Sequence, residues 1–144
     1  MTIYIPTIDE LPRKEMSRLC PGSTFSVLES AGVVSAYVYE WPDLKITANV
    51  LPPANVADHL EGFVAYAQYV ANAKGRPLEK ELAQRIRSTK MVLGLVFEKA
   101  TDRGVWYDRV NDLMAMICFN TRALLFWEGA IYDEQCRQLL PIPA

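Results

Sequence analysis

Histidine is nearly absent from this chain, which carries only His59, and its three cysteines, Cys20, Cys118 and Cys136, are scattered. Zinc sites are built from paired Cys or His ligands at short spacing, so no metal is expected. An odd cysteine count without a Cys-x-x-Cys pair argues against a disulfide framework and for a reducing, cytoplasmic setting. No apolar run approaches the ~18 residues of a membrane span. The opening Met1-Thr2-Ile3-Tyr4-Ile5-Pro6 lacks the basic start of a signal peptide. Also missing are a Gly-rich phosphate loop, a Gly-x-Ser-x-Gly elbow and a His-Glu-x-x-His pair, so no cofactor is implied. No internal repeat, low-complexity tract or linker divides the chain.

What is present suits one globular domain over residues 1–144: 51% of residues are apolar and 22% charged, enough for an ordinary core. The organising stretch is Met91-Val92-Leu93-Gly94-Leu95-Val96-Phe97. It does not alternate apolar with polar residues, which predicts a central strand covered on both faces. Gly94 within it suggests a bulge or a close backbone approach.

Ahead of that strand, residues 24–29, 33–41 and 44–51 alternate and are joined by Ser30-Ala31-Gly32 and Trp41-Pro42-Asp43-Leu44, predicting an antiparallel meander. Asn55 and Gly75 then bracket a helix whose core stripe is Val56, Leu60, Phe63, Val64, Ala67, Val70 and Ala71. A shorter helix opens at Arg76-Pro77, with Leu78, Leu82 and Ile86 inward and a Glu81–Arg85 pair at i,i+4. Beyond the central strand, Thr101 or Asp102 caps a helix carrying Trp106, Val110, Leu113, Met114 and Ile117 on one face. Residues 123–127 make a strand beside the central one, residues 130–132 a short strand, and Asp133 starts a last helix to Leu140. Residues 1–22, punctuated by Pro6, Pro12 and Pro21, form an N-terminal arm: Ile3, Ile5 and Ile8 lie on an edge or the surface, with a turn of helix within 12–19. The expected fold is α+β in the order βββ-αα-β-α-β(β), with helices packed on a mainly antiparallel sheet of about five strands.

That order, with Gly94 in the central strand and the ending Phe126-Trp127-Glu128-Gly129-Ala130-Ile131-Tyr132-Asp133, resembles uncharacterised single-domain bacterial proteins over the last third of the chain. The resemblance implies a fold and a bacterial source. It brings no activity with it.

Three features are candidates for function. His59 lies on the shoulder of the first long helix, with Gly62, Tyr66 and Tyr69 along the same shoulder; a small residue among aromatics leaves a groove for a ligand or a partner helix. As a general base, His59 would serve a small hydrolase or transferase, but Asp58 and Glu61 are expected on the other side of the helix. A packing histidine is the weightier reading. Secondly, Tyr37, Tyr39 and Trp41 share the face of their strand opposite Val34, Ala36 and Val38. Such a patch marks an interaction surface; without convergent polar groups, a second subunit or the N-terminal arm is preferred to a ligand.

Finally, residues 74–90 hold six cations against two carboxylates in a chain of net charge −2. Arg76, Lys80 and Arg87 are the polyanion candidates, but no aromatics are interleaved, so a solvated face is preferred and nucleic acid is not expected. Cys118 is expected in the core as a small hydrophobe. These readings converge on a non-enzymatic binding or protein-interaction domain that self-associates as a homodimer, with no membrane partner.

Overall fold

The computed structural model describes residues 1–6, 13–99 and 106–141. Its elements are β1 (Thr2–Ile5), α1 (Arg13–Arg18), β2 (Thr24–Ser30), β3 (Val33–Trp41), β4 (Leu44–Val50), α2 (Pro53–Ala73), α3 (Lys80–Arg87), β5 (Met91–Lys99), α4 (Trp106–Thr121), β6 (Leu124–Trp127), β7 (Ala130–Tyr132) and β8 (Gln138–Leu140). The strands form one eight-stranded sheet in the order β2-β3-β4-β5-β1-β6-β7-β8, and every neighbouring pair is antiparallel. The α+β class holds. The count of about five strands does not.

Two segments account for most of the difference. The first is Ile3-Tyr4-Ile5, which is inserted between β5 and β6 rather than lying at an edge or as an arm. All three side chains are buried, because both faces of this strand are covered. Strand β6 is consequently separated from the central strand by β1 and is not its neighbour. The second is the expected last helix. Asp133 does act as a cap, its carboxylate accepting from the N–H groups of Gln135 and Arg137, both at 2.9 Å, and from Arg137 Nε at 3.0 Å. The chain then reverses through Cys136 at φ 61° and returns as β8, so the cap serves a hairpin turn. Ile8, Thr101 and Asp102 lie outside the described residues.

Helices cover the sheet on both faces. On one side α1 and α4 meet Ile3, Ile5, Tyr37, Tyr39, Ile46, Met91, Leu93 and Leu125. On the other, α2 and α3 meet Tyr4, Val92, Leu124, Ile131 and Leu140. The stripe read for α2 is the one buried: Leu60, Phe63, Val64, Ala67 and Ala71 are inside, with Val56 and Val70 packed at its margin. Pro53 opens that helix, where a missing N–H costs nothing, so it begins ahead of Asn55. Its end is a Schellman turn: Gly75 N–H reaches Asn72 O at 2.9 Å and Arg76 N–H reaches Ala71 O at 3.1 Å. Gly75, at φ 70°, supplies the left-handed residue this closure needs.

Strand β5 is central, the fourth of eight. Its cover is uneven. Met91, Leu93 and Leu95 are buried towards α4 and Val92 towards α2, but Val96 is 56% exposed. Gly94 marks neither a bulge nor a close approach: its register with Thr2 and Asn49 is regular, and a Cβ there would meet open space.

Candidate functional site

Helix α2 presents His59, Gly62, Phe63 and Tyr66 at i, i+3, i+4 and i+7, the spacing that aligns side chains along one shoulder. Beneath this shoulder lie Tyr4 of β1 and Phe126 of β6, which register two residues apart across adjacent strands. The rings interlock. Tyr4 and Phe63 stack with centroids 4.2 Å apart and planes within 6°. Phe126 stands edge-on to Phe63 and to Tyr66, each at 5.4 Å. These are the offset and edge arrangements that the ring quadrupole favours. Gly62, having no side chain, leaves the shoulder open at this level. The result is a cleft of about 350 Å³ lined by Tyr4, Asp58, His59, Gly62, Phe63, Tyr66 and Phe126.

Two polar contacts organise its ends. Tyr4 Oη lies 2.9 Å from His59 Nε2, with the two rings 5.7 Å apart. Burial pushes the Tyr4 phenol well above its ordinary range, so it stays protonated. The direction of this bond follows the imidazole tautomer: the phenol donates when the ring proton is on Nδ1 and accepts when it is on Nε2. At the other end, Tyr66 Oη donates to Gly129 O at 2.9 Å. Gly129, at φ 78° in the tight β6–β7 turn, lets that carbonyl approach; a Cβ there would sit 3.3 Å from the Tyr66 hydroxyl.

The structure thus brings His59, Gly62 and Tyr66 into one cleft. Tyr69 is on the same helix but outside that lining, and is 73% exposed. Asp58 corrects an expectation, since it lines the cleft beside His59 instead of facing away. Glu61 does turn elsewhere, pairing with Arg87 at 3.0 Å. That hydrogen bond, and then the guanidinium charge, hold the Glu61 carboxyl below its ordinary range.

Sequence reasoning missed Tyr4 and Phe126 as cleft residues. The signal for Tyr4 was in the sequence: Ile3-Tyr4-Ile5 is apolar at both parities, as residues 91–97 are, and so reads as doubly covered.

The aromatic face of β3 is closed. Tyr37 and Tyr39 are fully buried beneath α1 and α4, and Tyr39 Oη donates to Met16 O at 2.8 Å. Trp41 packs against the same core, with the Arg109 guanidinium 4.9 Å from its ring and Asp43 3.0 Å from Arg109. Val34 joins this face as well. The pairing runs from Leu28–Ala36 to Glu29–Val34, so Ser35 is an extra, bulged residue that reverses the side on which Val34 emerges.

The basic candidates do not converge. Arg87 is held by Glu61, and Arg85 pairs with Glu134 and donates to Arg122 O rather than meeting Glu81. Arg76 and Arg87 line different clefts, and Lys80 is exposed at the start of α3.

Cys20 and Cys118 are buried, and burial pushes both thiols up to about 12, far from thiolate chemistry. Cys136 is exposed in the β7–β8 turn. Among the described residues, no three His, Cys, Asp or Glu side chains gather as a metal site, and no helix is long and apolar enough to cross a membrane. The chain matches no protein-family model, no curated protein and no solved structure.

Proposed function

We propose that the protein is a binding domain that self-associates through the α2 shoulder, each copy seating Tyr69 in the cleft of the other. The observation that carries this reading is the exposed Tyr69 ring on the same helix as the gap at Gly62. Seven residues separate them, about 10 Å along the helix. An antiparallel pair of α2 helices related by a two-fold axis between these positions brings each Tyr69 over the partner's Gly62. That is the self-complementary contact a two-fold dimer requires. The apolar walls supply the driving force, and a ring on rings adds about 0.5–1.5 kcal/mol beyond area burial. His59 Nδ1 and Asp58 form the polar rim.

Sedimentation at high micromolar concentration tests this: a dimer is expected for the native chain and a monomer for Tyr69→Ser. A native chain that stays monomeric there overturns the reading.

The alternative, His59 as a general base of a small hydrolase or transferase, draws support from the Asp58 carboxylate and the Tyr4 hydroxyl in the same cleft. The Tyr4 contact weighs against it. Tyr4 Oη occupies Nε2, so only Nδ1 is left to take a proton from a substrate. Turnover of simple nitrophenyl esters, lost in His59→Gln, would reverse that ranking.

A further inference from the structure

We propose that the groove between the start of α2 and the α3–β5 connection binds a free monocarboxylic acid with a short aliphatic chain. The groove has a volume of about 400 Å³. Val56, Ala57 and Leu60, on the first turns of α2, give it an apolar wall, and Arg87, Thr89 and Lys90 face them.

Thr89 carries the assignment. It is only 7% exposed, and its hydroxyl has no hydrogen-bond partner among the described residues. Among those residues the one sealed side-chain polar atom without a partner is Asn111 Oδ1, so the Thr89 hydroxyl is not shut in the core and reaches the groove it lines. A largely buried hydroxyl left unmade is costly, and a group from outside the chain removes that cost.

Charge and hydrogen bonding narrow the occupant. Arg87 is already paired with Glu61, which lines the same groove, so these two charges cancel. Lys90 has no ion pair among the described residues, which leaves the lining one net positive charge. A single positive charge suits a carboxylate better than a phosphate dianion. The N–H groups of Thr89 and Lys90 are used by Ile86 O at 3.1 Å and Ile5 O at 2.8 Å, so they are closed to a peptide backbone and the occupant is a small acid. Its carboxylate accepts from the Thr89 hydroxyl and the Lys90 ammonium, the second bond being charge-assisted. Its chain lies on Val56 and Ala57, taking apolar surface out of water.

The test is an NMR titration of the full chain, at fixed ionic strength, with pentanoate, pentanamide, acetate and inorganic phosphate. Pentanoate should give saturable shifts at the amides of Thr89 and Lys90. Pentanamide, which lacks the charge, and acetate, which lacks the chain, should each bind at least about tenfold more weakly. Lys90→Gln, an exposed substitution, and Thr89→Val, which keeps the side chain's shape, should each weaken pentanoate about fivefold or more. Because Thr89→Val removes a hydroxyl with no partner in the chain, its urea midpoint should not fall. Tyr69→Ser should leave pentanoate binding intact, since the two clefts share no lining residue. No saturable shift at those amides up to about 20 mM, an equal response to pentanamide, phosphate binding as tight as pentanoate, undiminished binding by Thr89→Val or a fall in its midpoint would each overturn the proposal.

Discussion

Two aromatic clusters sit on opposite faces of one sheet and have opposite fates. Phe25, Tyr37 and Tyr39 lie under α1 and α4, where the Tyr39 hydroxyl is satisfied by Met16 O and both tyrosines are fully buried. Tyr4, Phe63, Tyr66 and Phe126 lie under the shoulder of α2, where Gly62 offers no side chain to complete the cover. The residue types are the same. The difference lies in the overlying helix: a complete cover makes a core, and one missing side chain makes a cleft. Surplus aromatics in a sequence therefore identify a binding surface only once their cover is known.

The strongest way to break this contrast is Tyr39→Ala, which empties a closed site; it should cost about 3–5 kcal/mol by urea denaturation. A loss below about 1 kcal/mol would mean that this cluster is as loosely held as the other. Next, Tyr39→Phe keeps the ring but removes the buried hydrogen bond to Met16 O, which retains the Leu19 N–H at 3.3 Å, and should cost about 1–1.5 kcal/mol. On the open cluster, Gly129→Ala forces a left-handed backbone on alanine and crowds Tyr66 Oη, so a loss of about 1 kcal/mol is expected, with a shifted Tyr66 ring signal. Tyr4→Phe should cost less than Tyr39→Phe, about 0.5–1 kcal/mol, because water can replace the phenol at the exposed His59. If the two Tyr→Phe changes cost the same, the open and closed descriptions lose their energetic meaning.

The smallest effect is conditional on pH and sharpens the frame around the open cluster. Burial opposes ionisation of Asp133, but N–H groups of Arg137 and Gln135 and the Arg137 guanidinium outweigh it and hold the carboxyl below its ordinary range. A depressed folded value means that the stabilisation is present above the ordinary value of about 4 and is lost as pH falls through the folded one. Asp133→Asn keeps the Oδ1 acceptor and should flatten the acid limb of the stability profile in urea melts. An unchanged acid limb would show that other carboxylates govern it.

Elements with strong local signals were legible. The meander of β2, β3 and β4, the helix with its glycine stop at Gly75, and the buried face of α4 from Val110 to Ile117 follow from alternation, helical spacing and turn residues. The shoulder of His59, Gly62 and Tyr66 was legible for the same reason, being one face of one helix. Other features depended on distant contacts. The bulge at Ser35 moves Val34 across the sheet, a shift that periodicity read straight through the strand misses. Asp133 signals a cap without saying whether helix or hairpin follows, and the return to pair with β7 decides it. Asp58 is a different case: at 100° per residue it falls about 40° from Gly62, so its place on the shoulder was legible in the helix and was misread.

Local periodicity, spacing and composition by themselves determined that this chain makes an α+β domain, where its principal strands and helices run, and which face of α2 carries the candidate residues. Tertiary structure alone decided that β1 threads the middle of the sheet, that Tyr4 and Phe126 meet His59, and that Tyr37 and Tyr39 are enclosed. The reason is physical: a side chain's direction along its own element follows from backbone geometry within a few residues, whereas the layer that covers it comes from segments tens of residues away.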